Sequence, residues 1–375
     1  MPVYPNQDLV AQPGEMESWN LPVNRRASFH DLHRIIRYGF SVRAPDVLKL
    51  TSCIDARIAE LGSVQQMCSS DFFSAMVVLR GEQLVYEQYA PDFAPHQAHT
   101  IMSITKTMTH LIMGRCVEDG LIDLNAKVCD YLPEIGSGYA DAIIQNVLDM
   151  NIVNDYSEDY SDLHTTALLH NASMGWRLPA ADTSPTSNRD FLCTIESNDL
   201  LNRSGEVNYK SASTDVLAWI AERVSGQALR DHLIRIVEAA GIEHTFYMST
   251  DHTAVPNTNG GACLSARDLA RLGLIFARRG RGINGKLVGS HTFMDAARRC
   301  TGPTYPPPDN HIHYGNQLKT NGRWVGHGGW GGQLLMVDPE TTTVVVFFSV
   351  LENQSASDDN HSRAIVQMAE EVIGC

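Results

Sequence analysis

Gln333-Leu334-Leu335-Met336-Val337-Asp338-Pro339-Glu340-Thr341-Thr342-Thr343-Val344-Val345-Val346-Phe347-Phe348-Ser349-Val350 is the stretch whose reading decides the fold. Two apolar runs, the second rich in β-branched and aromatic residues, flank an Asp-Pro-Glu-Thr turn, which is the composition of a β-hairpin. A second hairpin stands near the opposite end of the chain. There Phe72-Phe73-Ser74-Ala75-Met76-Val77-Val78-Leu79 passes through Arg80-Gly81-Glu82 into Gln83-Leu84-Val85-Tyr86-Glu87-Gln88-Tyr89, with glycine at the turn. Segments 46–61 and 362–373 read as helices beside these strands.

The middle of the chain differs in character. From about 103 to 243 the signals are helices and long irregular stretches, with little β-branched alternation. Thr214 to Val224 forms an amphipathic pattern ended by Ser225-Gly226, and Ser265-Ala266-Arg267-Asp268 has the form of a helix N-cap. Residues 156–188 are loop-like, rich in Asp, Ser, Thr, His and Pro. A loop of that length is uncommon unless it is functional. The expected architecture is α+β: an antiparallel β-sheet built from both chain ends, flanked by helices, with a mostly helical inserted region. Residues 1–45 read as an N-terminal extension and 46–375 as one domain. Its α/β part spans about 46–110 and 245–375, and its helical insertion about 111–244.

Bulk properties narrow the function. A 375-residue chain that is 43% hydrophobic and 19% charged has the composition of a soluble protein with a substantial core. A net charge of −14 and the absence of a basic run longer than Arg278-Arg279-Gly280-Arg281 disfavour nucleic-acid binding. No run of 18 apolar residues suggests a membrane span, and residues 1–24 lack a basic stretch followed by an apolar core. The eight cysteines have no Cys-x-x-Cys spacing and read as buried free thiols in a reducing compartment. The cytoplasm is the expected location.

The chemistry-bearing residues begin with Ser103-Ile104-Thr105-Lys106. A serine and a lysine three residues apart at a helix start share one face and can meet within a turn. A buried lysine that loses its proton can deprotonate the serine, and the helix N-terminus offers free N–H groups where an oxyanion would form. Leu111, Ile112, Met113, Cys116 and Val117 carry an apolar pattern onward, which favours burial of Lys106. Glu206-Val207-Asn208-Tyr209-Lys210-Ser211 places a tyrosine beside a lysine whose charge is expected to lower its pKa. Gly326-His327-Gly328-Gly329-Trp330-Gly331-Gly332 precedes a strong strand, and so many glycines let backbone approach a ligand closely. There is no Gly-x-Ser-x-Gly elbow, no His-Glu-x-x-His, no P-loop and no dinucleotide fingerprint. His311-Ile312-His313 has no obvious third ligand, so neither a metal nor any other cofactor is expected.

Three pieces in chain order, Ser103-x-x-Lys106, Tyr209-x-Ser211 and His327-x-Gly329, resemble the motif set of the serine β-lactamase and penicillin-recognising superfamily. The chain is similar to its class C β-lactamases, D-alanyl-D-alanine carboxypeptidases and related esterases. Within it, the chain looks most like the 6-aminohexanoate-dimer hydrolases. The likeness rests on Met102 to Lys106, Val147-Leu148-Asp149-Met150, Asp155 to Tyr160, Met174-Gly175-Trp176-Arg177, Asp215 to Ile220, Asn259-Gly260-Gly261 and Ala266 to Arg271.

The resemblance implies a β-lactamase-like fold and a serine hydrolase of short linear amides or esters, working through an acyl-enzyme. Ser103 would be the nucleophile, Lys106 its base and Tyr209 the proton donor to the leaving group. The N–H groups of Ser103 and Trp330 would form the oxyanion hole. Tyr160 and Trp176 would close over the substrate, with Asn171, Ser211, Asn259, His327 and Gly329 around it and Asn259 toward the far wall. The departures are Ser211 where β-lactamases usually have asparagine, His327 in place of a lysine, and Asn171 where a carboxylate would pair with a substrate ammonium. They shift the expectation away from β-lactams and toward esters. A carboxylesterase without significant amidase activity, a β-lactamase or D-Ala-D-Ala peptidase-like protein, and a non-catalytic binding protein are the competing readings. The expected partner is a small amide or ester, with a homodimer allowed and neither nucleic acid nor membrane involved.

Overall fold

The hairpins of the two chain ends become neighbours in one sheet. The computed structural model describes residues 13–159, 165–178 and 186–375. Its strands are β1 (Gly39–Val42), β2 (Thr51–Ser52), β3 (Phe73–Arg80), β4 (Gln83–Tyr89), β5 (His99–Thr100) and β6 (Phe246–Ser249). They continue with β7 (Ala262–Leu264), β8 (His313–Gly315), β9 (Leu318–Thr320), β10 (Val325–Gly329), β11 (Gln333–Asp338) and β12 (Thr343–Ser349). An eight-stranded sheet runs β2-β4-β3-β12-β11-β10-β9-β8. The join between the chain ends is the antiparallel pair β12–β3, with Val345 opposite Val78 and Val346 opposite Val77. Strands β3, β11 and β12 are buried almost throughout, so their sequences are continuous apolar runs and do not alternate. The helices Ala266–Ala277 and Asp359–Gly374 pack on these central strands.

The α+β reading therefore holds, with one sheet drawn from both chain ends and a mostly helical region between them. Three expectations need correction. Residues 46–61 are not one helix: Thr51–Ser52 pairs parallel with β4 and the helix is confined to Ala56–Glu60. Asp55 caps that helix, accepting the N–H of Arg57, and the chain before it follows the sheet edge. The 156–188 stretch is also not wholly irregular, because Thr166–Ser173 is helical. All eight cysteines are unpaired, but only Cys68, Cys116 and Cys263 are buried.

A second sheet, β1-β6-β7-β5, delivers the chain to Ser103, since β5 ends three residues before it. The helix Lys106–Glu118 packs against Ser211–Ser225, and both are buried along most of their length. The helix Pro22–Ile35 folds back over this region. Its buried Arg25 donates to the carbonyls of Leu351 (2.8 Å), Asn353 (2.5 Å) and Asn20 (2.8 Å), tying it to the loop after β12.

Strand β10 meets β11 so closely that one position admits only glycine. A Cβ on Gly326 would lie 2.0 Å from the carbonyl oxygen of Leu335. Gly326→Ala should lower the unfolding free energy by about 3 kcal/mol in urea denaturation, through forced separation of β10 and β11. An unchanged midpoint would show that the two strands part without cost.

Candidate active site

Ser103 lies on a 3₁₀ turn, Met102–Thr105, that runs directly into the helix Lys106–Glu118. Met102 has φ of +46°, a left-handed conformation that is strained for methionine. Burial holds it there, in an apolar cluster with Phe29, Met174 and Trp176. The strained residue turns the chain sharply, so that Ser103 opens a helical segment whose first N–H groups have no intrahelical acceptor.

Lys106 is fully buried, and its Nζ lies 3.0 Å from Ser103 Oγ, 3.0 Å from Ser211 Oγ and 2.6 Å from the carbonyl oxygen of Asn259. Burial lowers its pKa to about 8, against the opposing pull of Glu158 and Asp215. Roughly a tenth of Lys106 is then a free amine at pH 7, far more than for an ordinary lysine. Ser211 is the first residue of the helix Ser211–Ser225, and its N–H donates to the Glu158 carboxylate.

Tyr209 faces Lys106, whose Nζ is 5.1 Å from the phenol ring centroid. The sequence suggested a phenol acidified by Lys210, and the structure reverses that expectation. Lys210 turns away to the carbonyls of Tyr156 (2.6 Å) and Asn154 (3.3 Å). The Tyr209 hydroxyl is buried without a hydrogen bond of ordinary geometry. Burial, then Tyr314 and Glu158, push its pKa well above 10, and proximity to Ser103 only partly offsets this. Tyr209 is a neutral phenol.

His327, on β10, is likewise neutral. Burial first, then Lys319 and Lys106, hold its pKa well below 6.5. Its Nδ1–H donates to the Gly328 carbonyl (2.6 Å), and its Nε2 accepts from the Tyr314 hydroxyl (3.2 Å). A Cβ on Gly329 would stand 2.7 Å from the carbonyl oxygen of Ile101, so the glycine run brings β10 against the turn that carries Ser103. Trp330 follows β10 and donates its indole N–H to Ser355 at 3.0 Å.

A cavity of about 490 Å³ opens over these groups. Ser103, Asn171, Trp176, Tyr209, Ser211, Asn259, His327, Gly329 and Trp330 all line it, and Lys106 lies behind Ser103. Asn259 stands beside Lys106 instead of on a far wall, because its own carbonyl receives the lysine. Tyr160 falls outside the described residues. Among the described residues no His, Cys, Asp and Glu cluster could hold a metal ion.

Sequence reasoning missed several contributors. Asp215 is buried one turn into the helix that Ser211 opens, and it accepts from five donors. They are His170 Nε2 (3.1 Å), Asn188 Nδ2 (2.9 Å), Thr258 Oγ1 (2.8 Å) and the Asn259 N–H (3.1 Å) and Nδ2 (2.6 Å). Burial by itself would raise its pKa, but hydrogen bonds from His170, Asn188 and Asn259 hold it below the usual carboxylate value. A carboxylate inside an otherwise apolar helix face was the available signal. Trp19 was also missed. It lines the cavity from the N-terminal segment and donates to the Trp176 carbonyl at 3.1 Å.

Residues 73–369 match the Beta-lactamase family. The chain is 32% identical to the 6-aminohexanoate-dimer hydrolase of Paenarthrobacter ureafaciens over 356 residues, covering 89% of this chain and 87% of that one. Its fold is similar to a Bacillus anthracis structure provisionally named a 6-aminohexanoate-dimer hydrolase, with TM-score 0.81, 20% identity and coverage of 99% and 98%. A family VIII carboxylesterase aligns with TM-score 0.60 and 14% identity, over 86% of this chain and 98% of its own.

Asp215→Asn should destabilise the protein by about 3 kcal/mol in denaturant titration, because several buried donors then lose their acceptor. The same substitution removes a charge that raises the Lys106 pKa, so that pKa should fall further. Unaltered stability would show that the clamp is dispensable.

Proposed function

The chain belongs to the Beta-lactamase family, and on that premise we propose that it cleaves short linear esters or amides through an acyl-enzyme at Ser103. The observation that carries the reading is the 3.0 Å approach of a buried, partly deprotonated Lys106 to Ser103 Oγ. As a free amine, Lys106 keeps two N–H donors for Asn259 O and Ser211 Oγ and turns its lone pair to the Ser103 hydroxyl. Ser103 Oγ attacks the carbonyl carbon and its proton passes to Lys106. The N–H groups of Ser103 and Trp330 receive the developing oxyanion.

Tyr209 acts next. A phenol that stays protonated past pH 10 is no base at neutral pH, but it is a proton donor to a departing alkoxide or amine. It gives up its proton as the bond to the leaving group breaks, and recovers one from Lys106. Water then attacks the acyl ester with Lys106 again as base, regenerating Ser103.

The walls suit a short, uncharged acyl chain. Trp19, Met174 and Trp176 are apolar and Asn171 carries no charge for a substrate ammonium. Short carboxylic esters are therefore the favoured substrates, and linear amides of the 6-aminohexanoate-dimer type come second. Eight unpaired cysteines support a reducing, cytoplasmic setting.

Ser103→Ala should reduce p-nitrophenyl acetate hydrolysis by about 10³-fold or more while leaving the circular dichroism spectrum intact. With 6-aminohexanoate dimer run alongside, the wild type should favour the ester. An unchanged ester rate in the variant would sink the proposal.

The pH dependence follows from the same groups. Lys106 is lowered, so its active free amine accumulates as pH rises through about 8. The wild-type kcat/KM should climb about tenfold per pH unit below that value and level off above it, with no fall before pH 10 because Tyr209 keeps its proton. A profile flat from pH 5 to 9 would remove Lys106 as the base.

A further inference from the structure

Lys319 is a cation in the cavity with no counter-ion. It sits on β9, paired with Gly326 of β10 on one side and Tyr314 of β8 on the other, and lines the same cavity as Ser103. Its Nζ lies 4.5 Å from the ring centroid of Tyr305 and would stand 3.7 Å from a Cβ on Gly328. Among the described residues, Nζ makes no hydrogen bond and no ion pair.

Other cations in the interior are satisfied. Lys106 has three acceptors, Lys210 two carbonyls, and Arg271 the carboxylates of Asp268 and Glu243. The carboxylate that acts on Lys319, Asp309, is already held by Arg363 at 3.2 Å. An enclosed ammonium resting on an aromatic face, without an anion, is a costly state that a bound anion relieves. Burial lowers its pKa to about 8, against the opposing pull of Asp309.

The position of Lys319 says which part of a substrate would carry that anion. The Tyr209 ring packs edge-on against Tyr314 at 5.9 Å and near His327 at 6.0 Å. Tyr314 is the residue paired with Lys319 across β8 and β9. Lys319 therefore stands on the Tyr209 side of Ser103, where the leaving group departs. We propose that Lys319, seated on Tyr305, receives a carboxylate carried by the leaving alcohol or amine. The preferred substrates are then acyl esters of hydroxy acids or acyl amides of amino acids. This assignment rests on the Ser103 acyl-transfer reading.

The test compares 4-acetoxybenzoate with its uncharged counterpart 4-acetoxybenzamide in the wild type, Lys319→Met and Lys319→Arg. The wild type should favour the anionic ester, and Lys319→Met should lose about 30-fold or more in kcat/KM on it alone. The neutral ester should change by less than about threefold, and Lys319→Arg should retain most of the preference. Equal losses on both esters, or an undiminished preference in Lys319→Met, would overturn the assignment. A Lys319-dependent preference for p-nitrophenyl hydrogen glutarate over p-nitrophenyl valerate would move the anion to the acyl side and also overturn it. If neither acetate ester is cleaved, the Ser103 reading fails, and calorimetric binding of 4-hydroxybenzoate against 4-hydroxybenzamide still decides the role of Lys319. Tighter binding of the anion that disappears in Lys319→Met supports the proposal, and equal binding of the two overturns it.

Discussion

One buried nitrogen, Lys106 Nζ, joins the three segments from which the cavity floor is made. Its acceptors come from the turn after β5, from the start of the helix Ser211–Ser225 and from the turn before β7. These segments are far apart in sequence, so their meeting depends on both sheets and on the helical region at once. Three acceptors match the three donors of an ammonium, which explains how a fully buried lysine is tolerated. They do not fully compensate lost hydration, and the residual cost lowers its pKa. The constraint that assembles the site thus also shifts this lysine toward its free-amine form.

Asp215 sets the third acceptor in place. It holds Asn259 by both backbone and side chain and ties the same turn to Thr258, Asn188 and His170. Its charge remains one of the two that resist deprotonation of Lys106, so the same carboxylate builds the pocket and moderates the lysine's shift. Strand β10 closes the other wall, and its glycines are required by the proximity of Ile101 and β11. The segment before β1 covers the result with Trp19 and Phe29.

Much of this was legible in the chain itself. Three of the four hairpin strands are continuous apolar runs, each hairpin has turn residues at its centre, and the sheet follows from them. Ser103 and Lys106 meet because a three-residue spacing on a helical turn puts them on one face. The rest depended on distant neighbours. Nothing local in Glu206 to Ser211 shows that Lys210 turns toward Tyr156, so the Tyr209 pKa was expected to move in the wrong direction. The helical interruption at Thr166–Ser173 was hidden by polar composition, because only part of that helix is buried. Asp215 resembled any acidic residue on a helix until its five donors, three of them from the 258–259 turn, were in view.

The electrostatics of the cavity follow from where its positive charges stand. His327 lies between the fields of Lys106 and Lys319, and each opposes a charge on it. A permanently charged residue at 327 would add a third buried cation to a site with few unengaged carboxylates. An imidazole avoids this by releasing its proton, and it keeps both nitrogens occupied by Gly328 and Tyr314. Its neutrality leaves Lys319 as the cavity-lining positive group on the Tyr209 side, while Lys106 stays enclosed behind Ser103. The two lysines have similar pKa values for the same reason, burial, yet their surroundings divide the work. Lys106 has acceptors on every side and lies against the serine, which suits proton transfer. Lys319 has an aromatic ring below it and open cavity above, which suits holding an anion.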